Sequence, residues 1–153
     1  MKFLLTAVPL LVGTIAFADR VIAMIERWLT PVFDLAIRLY VAEVFFRSGM
    51  LKITRWDSTL YLFENEYHVP LLPPHVAAVT STAGELTLST LLALGIAGRF
   101  GAAGLSAINL VAVISYSDLS DPGRMDHLLW GLLLMVTLLH GPGKLSVDHW
   151  IKH

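Results

Sequence analysis

The sequence predicts an all-α membrane protein: a four-helix transmembrane bundle carrying an additional N-terminal hydrophobic helix. Three observations lead there. Of 153 residues, 56% are apolar and only 15% charged, with a mean hydropathy of +0.68; a soluble domain carries about a quarter charged residues. The charges cluster, leaving apolar stretches long enough to enter a bilayer, where a helix needs roughly 20 residues. The length then allows one bundle. A net charge of −1 leaves no basic footprint for nucleic acid. The chain has no cysteine, which excludes dithiol exchange and thiolate-ligated iron–sulfur clusters.

Taken in order, residues 1–29 form the added hydrophobic or interfacial helix and residues 30–153 the bundle. Lys2, an apolar middle and Ala16-Phe17-Ala18 before Asp19 also fit a cleavable signal peptide. A retained helix toward Ile25 is the reading taken here, with Asp19, Arg20, Glu26 and Arg27 near the membrane surface. Thr30-Pro31 predicts an N-cap and first-turn proline for a second helix reaching about Ile53. Thr54 to Pro74 holds three prolines and Tyr61-Leu62-Phe63, which predicts a structured loop with a short amphipathic element at the interface. A third helix spans His75 to Ala97 and a fourth Phe100 to Tyr116, joined so tightly that they must form an antiparallel hairpin. Ser117 to Asp126 reads as an acidic turn around Pro122-Gly123. The last helix, His127 to Leu139, then covers only about 20 Å of a core roughly 30 Å thick, so Asp126-His127 is expected to dip below the surface. Basic residues favour the cytoplasmic side: Arg20, Arg27, Arg99, Lys144 and Lys152 place the Thr30 end inside. Lys52, Arg55 and Arg124 then lie outside among six acidic residues.

Ionisable groups within spans cost at least about 2.5–3.5 kcal/mol each, so each needs a partner or a purpose. Glu43 and Arg47 stand one turn apart and can pair, either as a structural lock or as part of a site. Glu85 lies mid-span with no basic residue within a turn. Ser81, Thr82 and Ser89 share its face, a small polar stripe that must meet protein or water. Such a carboxyl is either protonated and hydrogen-bonded or binds something. Asn109 is expected chiefly to cross-link helices, with ligand contact as the rival role. His127 beside Asp126 can relay protons near neutral pH or simply sit at a helix start. Met125-x-His127, with Met50, His68 and His75, offers soft and imidazole ligands of the kind copper accepts, without a recognisable metal motif.

These residues also carry a family resemblance. Phe46-Arg47-Ser48-Gly49 with Lys52, Ser58 to Phe63, Glu66-Tyr67-His68-Val69-Pro70-Leu71-Leu72-Pro73-Pro74, Glu85, Leu94-Gly95 with Gly98-Arg99-Phe100, and His140-Gly141-Pro142-Gly143 together resemble the DoxX family from about Pro31 to Ile151. The resemblance implies a four-helix fold in a bacterial inner membrane, crossing it several times. It implies kinship with membrane redox complexes, among them a thiosulfate:quinone oxidoreductase subunit. The subtype looks like proteins encoded beside copper-sequestering peptides and peptide-modifying enzymes.

Two functions are therefore expected. In the first, the chain is a subunit of a redox or stress-response system that binds a quinone-like molecule. Glu85 and His127 exchange protons with it, Arg47 and Lys52 hold its head, Trp56 or Tyr61 covers its ring, and Asn109 adds a contact. In the second, the bundle is a scaffold or transport component whose loop from Lys52 to Pro74 docks a periplasmic protein or metal-bearing peptide, with copper handling and self-association as further expectations.

Overall fold

Helix α1 runs unbroken across Lys2–Thr54 in the computed structural model, which describes residues 2–152. The predicted start at Thr30-Pro31 is absent: the boundary between residues 29 and 30 falls inside one helix. A proline removes one helical hydrogen bond and adds a local clash, but the apolar helix-forming runs on both sides carry through it. At about 1.5 Å per residue, 53 residues extend about 80 Å. Among the described side chains of α1, the buried ones lie in the second half and include Ile37, Arg38, Val41, Ala42 and Phe45. Of the side chains described between Val12 and Leu29, all but Val21 are exposed, so that segment stands apart from the bundle.

Five helices follow: α2 (Trp56–Asn65), α3 (Pro74–Leu94), α4 (Gly98–Ser115), α5 (Asp121–His140) and α6 (Val147–Lys152). The second half of α1, with α3, α4 and α5, closes a ring in which α1 meets α3 and α5 while α4 meets α3 and α5. The shared core is Val41, Ala42, Phe45, Leu92, Ala102, Leu105 and Leu134. Among the described residues, α3 and α4 are long and apolar enough to cross a membrane.

Helix α2 is the expected short element, buried through Thr59 and Phe63. On α3, Ala78, Thr82, Glu85, Ser89 and Leu92 are all buried, a spacing of three and four that marks one helical face. The α3–α4 hairpin is as tight as predicted, but α3 stops at Leu94, capped by Gly95 in the left-handed conformation (φ 68°). Gly101 lets the two helices touch, since a Cβ there would lie 3.1 Å from the Leu88 carbonyl oxygen.

Helix α5 begins six residues earlier than expected. Ser120 caps it, its side chain accepting from the Gly123 amide, and Pro122 lies in the first turn. Serine followed by a first-turn proline starts a helix, although Pro-Gly in isolation reads as a turn. Twenty residues cover about 30 Å, so the predicted shortfall vanishes and Asp126-His127 lies within the helix.

Candidate functional site

Two cations hold α1 against α3, one toward each end: a buried Arg38 and a half-buried Lys52. Toward the first end, Arg38 is 1% exposed. Its guanidinium donates to the carbonyls of Leu92 (3.3 Å), Ala93 and Leu145, joining α1 to the end of α3 and to the loop before α6. Nearby, Asp148 accepts from the Ala97 and Gly98 amides, both at 2.8 Å, neutralising the start of α4. The sequence reading gave neither residue a role.

Toward the other end, Gly49 lets α1 approach α3: an added Cβ would stand 3.3 Å from the Cβ of Glu85 and 2.8 Å from Leu86 Cγ. That approach brings the Lys52 Nζ onto Glu85 Oε1 and within 3.2 Å of Ser48 Oγ. Glu85 thus has a cationic partner one helix away, which the search along its own helix missed. Its second oxygen, Oε2, has no protein partner, and neither has the buried Ser115 Oγ. The expected polar stripe is otherwise self-contained, because the Thr82 and Ser89 hydroxyls donate to carbonyls of their own helix.

Two cavities meet at this pair. The smaller, about 240 Å³, lies under α2 and is walled by Phe63, Val69, Ala77, Val111 and Ser115. The larger, about 500 Å³, is walled by Phe45, Arg47, Tyr116, His127 and Trp130. Lys52, Tyr67 and Glu85 line both. Four of the expected site residues, Arg47, Lys52, Glu85 and His127, therefore border the larger space.

His127 is fixed by Asn109. The amide Nδ2 donates to the His127 carbonyl (2.9 Å), and the amide oxygen lies 2.7 Å from His127 Nδ1. Since that oxygen accepts, Nδ1 carries the proton and Nε2 is left as the acceptor. Trp130 packs edge-on against the imidazole at 4.9 Å and against Phe45 at 6.1 Å. With both ends of its amide engaged, Asn109 positions His127 rather than reaching a ligand.

Other expectations are corrected. Glu43 and Arg47 do pair at 3.3 Å, within one helix and with side chains 64% and 78% exposed, so the pair ties no second helix and leaves Arg47 at the open edge of the larger cavity. Trp56 packs on the Phe63–Ala77–Ala78 cluster, and Tyr61 points outward. The aromatic wall comes instead from Phe63, Tyr67 and Tyr116, stacked at 4.9 and 5.1 Å. The His68 amide donates to the Ser115 carbonyl, which pins this loop to the end of α4. Burial first, then the Tyr116 phenol and the Glu85 and Glu66 carboxylates, push the Tyr67 phenol above its ordinary range, so it keeps its proton and remains a donor. The sequence signal was there, since Tyr67 belongs to the Glu66–Pro74 motif. For metals, no group of three His, Asp or Glu side chains gathers among the described residues, and Met125 and His75 face outward.

The sequence model of the DoxX family matches residues 33–118, which hold Arg38, Lys52, Tyr67, Glu85 and Tyr116. The chain belongs to the DoxX family. It is accordingly a membrane protein, as the resemblance implied. A relative described as an uncharacterized protein of Haemophilus influenzae is 30% identical over 129 residues, covering 77% of this chain and 82% of its own. No solved structure matches significantly. The DoxX match starts at Phe33, near where α1 begins to pack, and ends before α5, so His127 lies outside it.

Proposed function

We propose that this DoxX chain is a multi-pass protein of a bacterial inner membrane that binds a small amphipathic molecule with a quinone-like head, as a subunit of a membrane redox or stress-response system. In this reading the second half of α1 spans the bilayer with α3, α4 and α5. One observation carries the ligand site: Glu85, buried against Lys52, keeps an unpartnered oxygen where the two cavities meet. A buried acceptor without a partner is costly, and a ligand hydroxyl or a protonated carboxyl would relieve it. The aromatic wall of Phe63, Tyr67 and Tyr116 suits a flat ring. His127 Nε2 and Glu85 are the groups able to exchange protons with ring oxygens, and Arg47 and Lys52 supply positive charge to the head.

The test is binding of decylubiquinol, the reduced form whose hydroxyls can donate to Glu85 Oε2, to the purified protein, followed by tryptophan fluorescence, since Trp130 lines the larger cavity. Charge-assisted hydrogen bonds contribute about 1.5–3 kcal/mol, so Glu85→Gln should weaken binding about ten-fold or more, and Arg47→Gln by less. Equal affinity in native protein and Glu85→Gln rejects the site.

A second reading has its own support. Leu71 is wholly exposed and holds a left-handed conformation (φ 68°), with Tyr61 and Leu72 exposed nearby. This face suits docking of a periplasmic protein or copper-bearing peptide by a scaffold or transport component. Loss of phenotype in Leu71→Asp, with Glu85→Gln unaffected, favours it.

A further inference from the structure

A second cleft, of about 460 Å³, opens at the Arg38 end, where α3 stops, α4 starts, α5 stops and α6 folds across. Arg99, His140 and Lys152 border it, together with Phe100 and Asp148. Asp148 has both oxygens engaged by the Ala97 and Gly98 amides, so they are turned to the start of α4, and its one negative charge stands against the two positive charges of Arg99 and Lys152 in the same wall. Arg99 gives one N–H to the Leu139 carbonyl and, with five donors on a planar fork, is suited to an anion's oxygens.

Depth and surroundings narrow the anion's identity. The cleft sits beside Leu94 and Gly98, the ends of the two helices apolar enough to cross a membrane, so it lies at the boundary between hydrocarbon and water. Exposed apolar side chains adjoin its walls: Phe100 within them is 66% exposed, and Leu139, Trp150 and Ile151, next in sequence to the wall residues His140, His149 and Lys152, are 66%, 78% and 77% exposed. A small soluble anion has no use for such a rim, whereas acyl chains do. Tryptophan is also a side chain that favours headgroup depth. Basic pockets beside membrane helices recognise anionic headgroups in this way.

We infer that this cleft is a binding site for the phosphate headgroup of an anionic phospholipid, with Arg99 and Lys152 on the phosphate and Phe100 and Trp150 against its chains. The site is separate from the cavities at Glu85 and does not depend on what they bind.

The experiment titrates the full chain in neutral detergent with phosphatidylglycerol or phosphatidylcholine brominated on the acyl chains, following quenching of tryptophan emission. Phosphatidylglycerol should quench at lower mole fraction than phosphatidylcholine, and the selective part should vanish in Trp150→Phe. Each basic residue near an anionic surface is worth roughly a five-fold change in affinity, so Lys152→Gln and Arg99→Gln should each weaken phosphatidylglycerol by about that factor. Because Arg99 also bonds the end of α5, Lys152→Gln is the decisive variant. Equal quenching by the two lipids, or unchanged selectivity in Lys152→Gln, overturns the inference. So does displacement of phosphatidylglycerol by millimolar inorganic phosphate, which would mark a site for the free anion.

Discussion

Asn109 holds His127 by two bonds, one to its backbone carbonyl and one to its imidazole, and the second sets which ring nitrogen faces the cavity. Substituting Asn109→Ala removes both bonds. Interhelical hydrogen bonds in membrane proteins contribute about 0.6–2 kcal/mol each, so losing two should lower stability by about 1–4 kcal/mol in a denaturation series. Nitrogen NMR of the histidine supplies the readout that simple loosening would not give: one tautomer in the native chain, a mixture in the variant. A single unchanged tautomer would refute the assignment. At this scale the sequence was half legible. Glu85 drew notice as a carboxyl without a neighbour in its own helix, and Lys52 and His127 as groups needing a purpose. The partners were hidden, because helical spacing reports neighbours along one helix and is silent across two. Arg38 escaped for the same reason, as the carbonyls it meets lie more than fifty residues away in sequence.

At the scale of elements, close approach between helices decides the architecture. A Cβ on Gly101 would press on backbone atoms of Leu88 and Leu92, at 3.1 and 3.3 Å. Backbone cannot step aside as a flexible side chain can, and overpacking costs about 1–3 kcal/mol. Gly101→Ala should therefore lower the unfolding midpoint in detergent. Gly13→Ala, whose added carbon would meet nothing within 4 Å, should leave it unchanged or raised. Equal effects at both positions would contradict the packing. The hairpin from α3 to α4 was readable because so few residues separate two apolar runs. The start of α5 was not, because Ser120-Asp121-Pro122-Gly123 obeys the rules of a turn and of a capped helix alike, and only the surrounding contacts choose.

For the molecule as a whole, the question is how it sits in its bilayer. An α1 of about 80 Å exceeds the roughly 30 Å hydrocarbon core more than twice over, so the exposed apolar side chains described between Val12 and Leu29 need lipid or another protein surface as cover. The absence of cysteine makes orientation easy to probe, since any introduced thiol is unique. With the Arg38 end facing the cytoplasm, Tyr61→Cys should react with an impermeant maleimide on spheroplasts, and Lys144→Cys only after permeabilisation. The opposite pattern would invert the charge-based topology.

The clamps at Arg38 and Lys52 lie fourteen residues apart on α1, about 21 Å along its axis, and each grips α3. A helix bolted at two such points cannot piston past its neighbour or change register without breaking both. Any rearrangement that opens the cavities would therefore fall to the segment after Arg55, where α2 and its loop lean on the bundle through stacked rings and the His68–Ser115 backbone bond instead of ion pairs. That flap would be the part to swing, while the frame of α1, α3, α4 and α5 stays still.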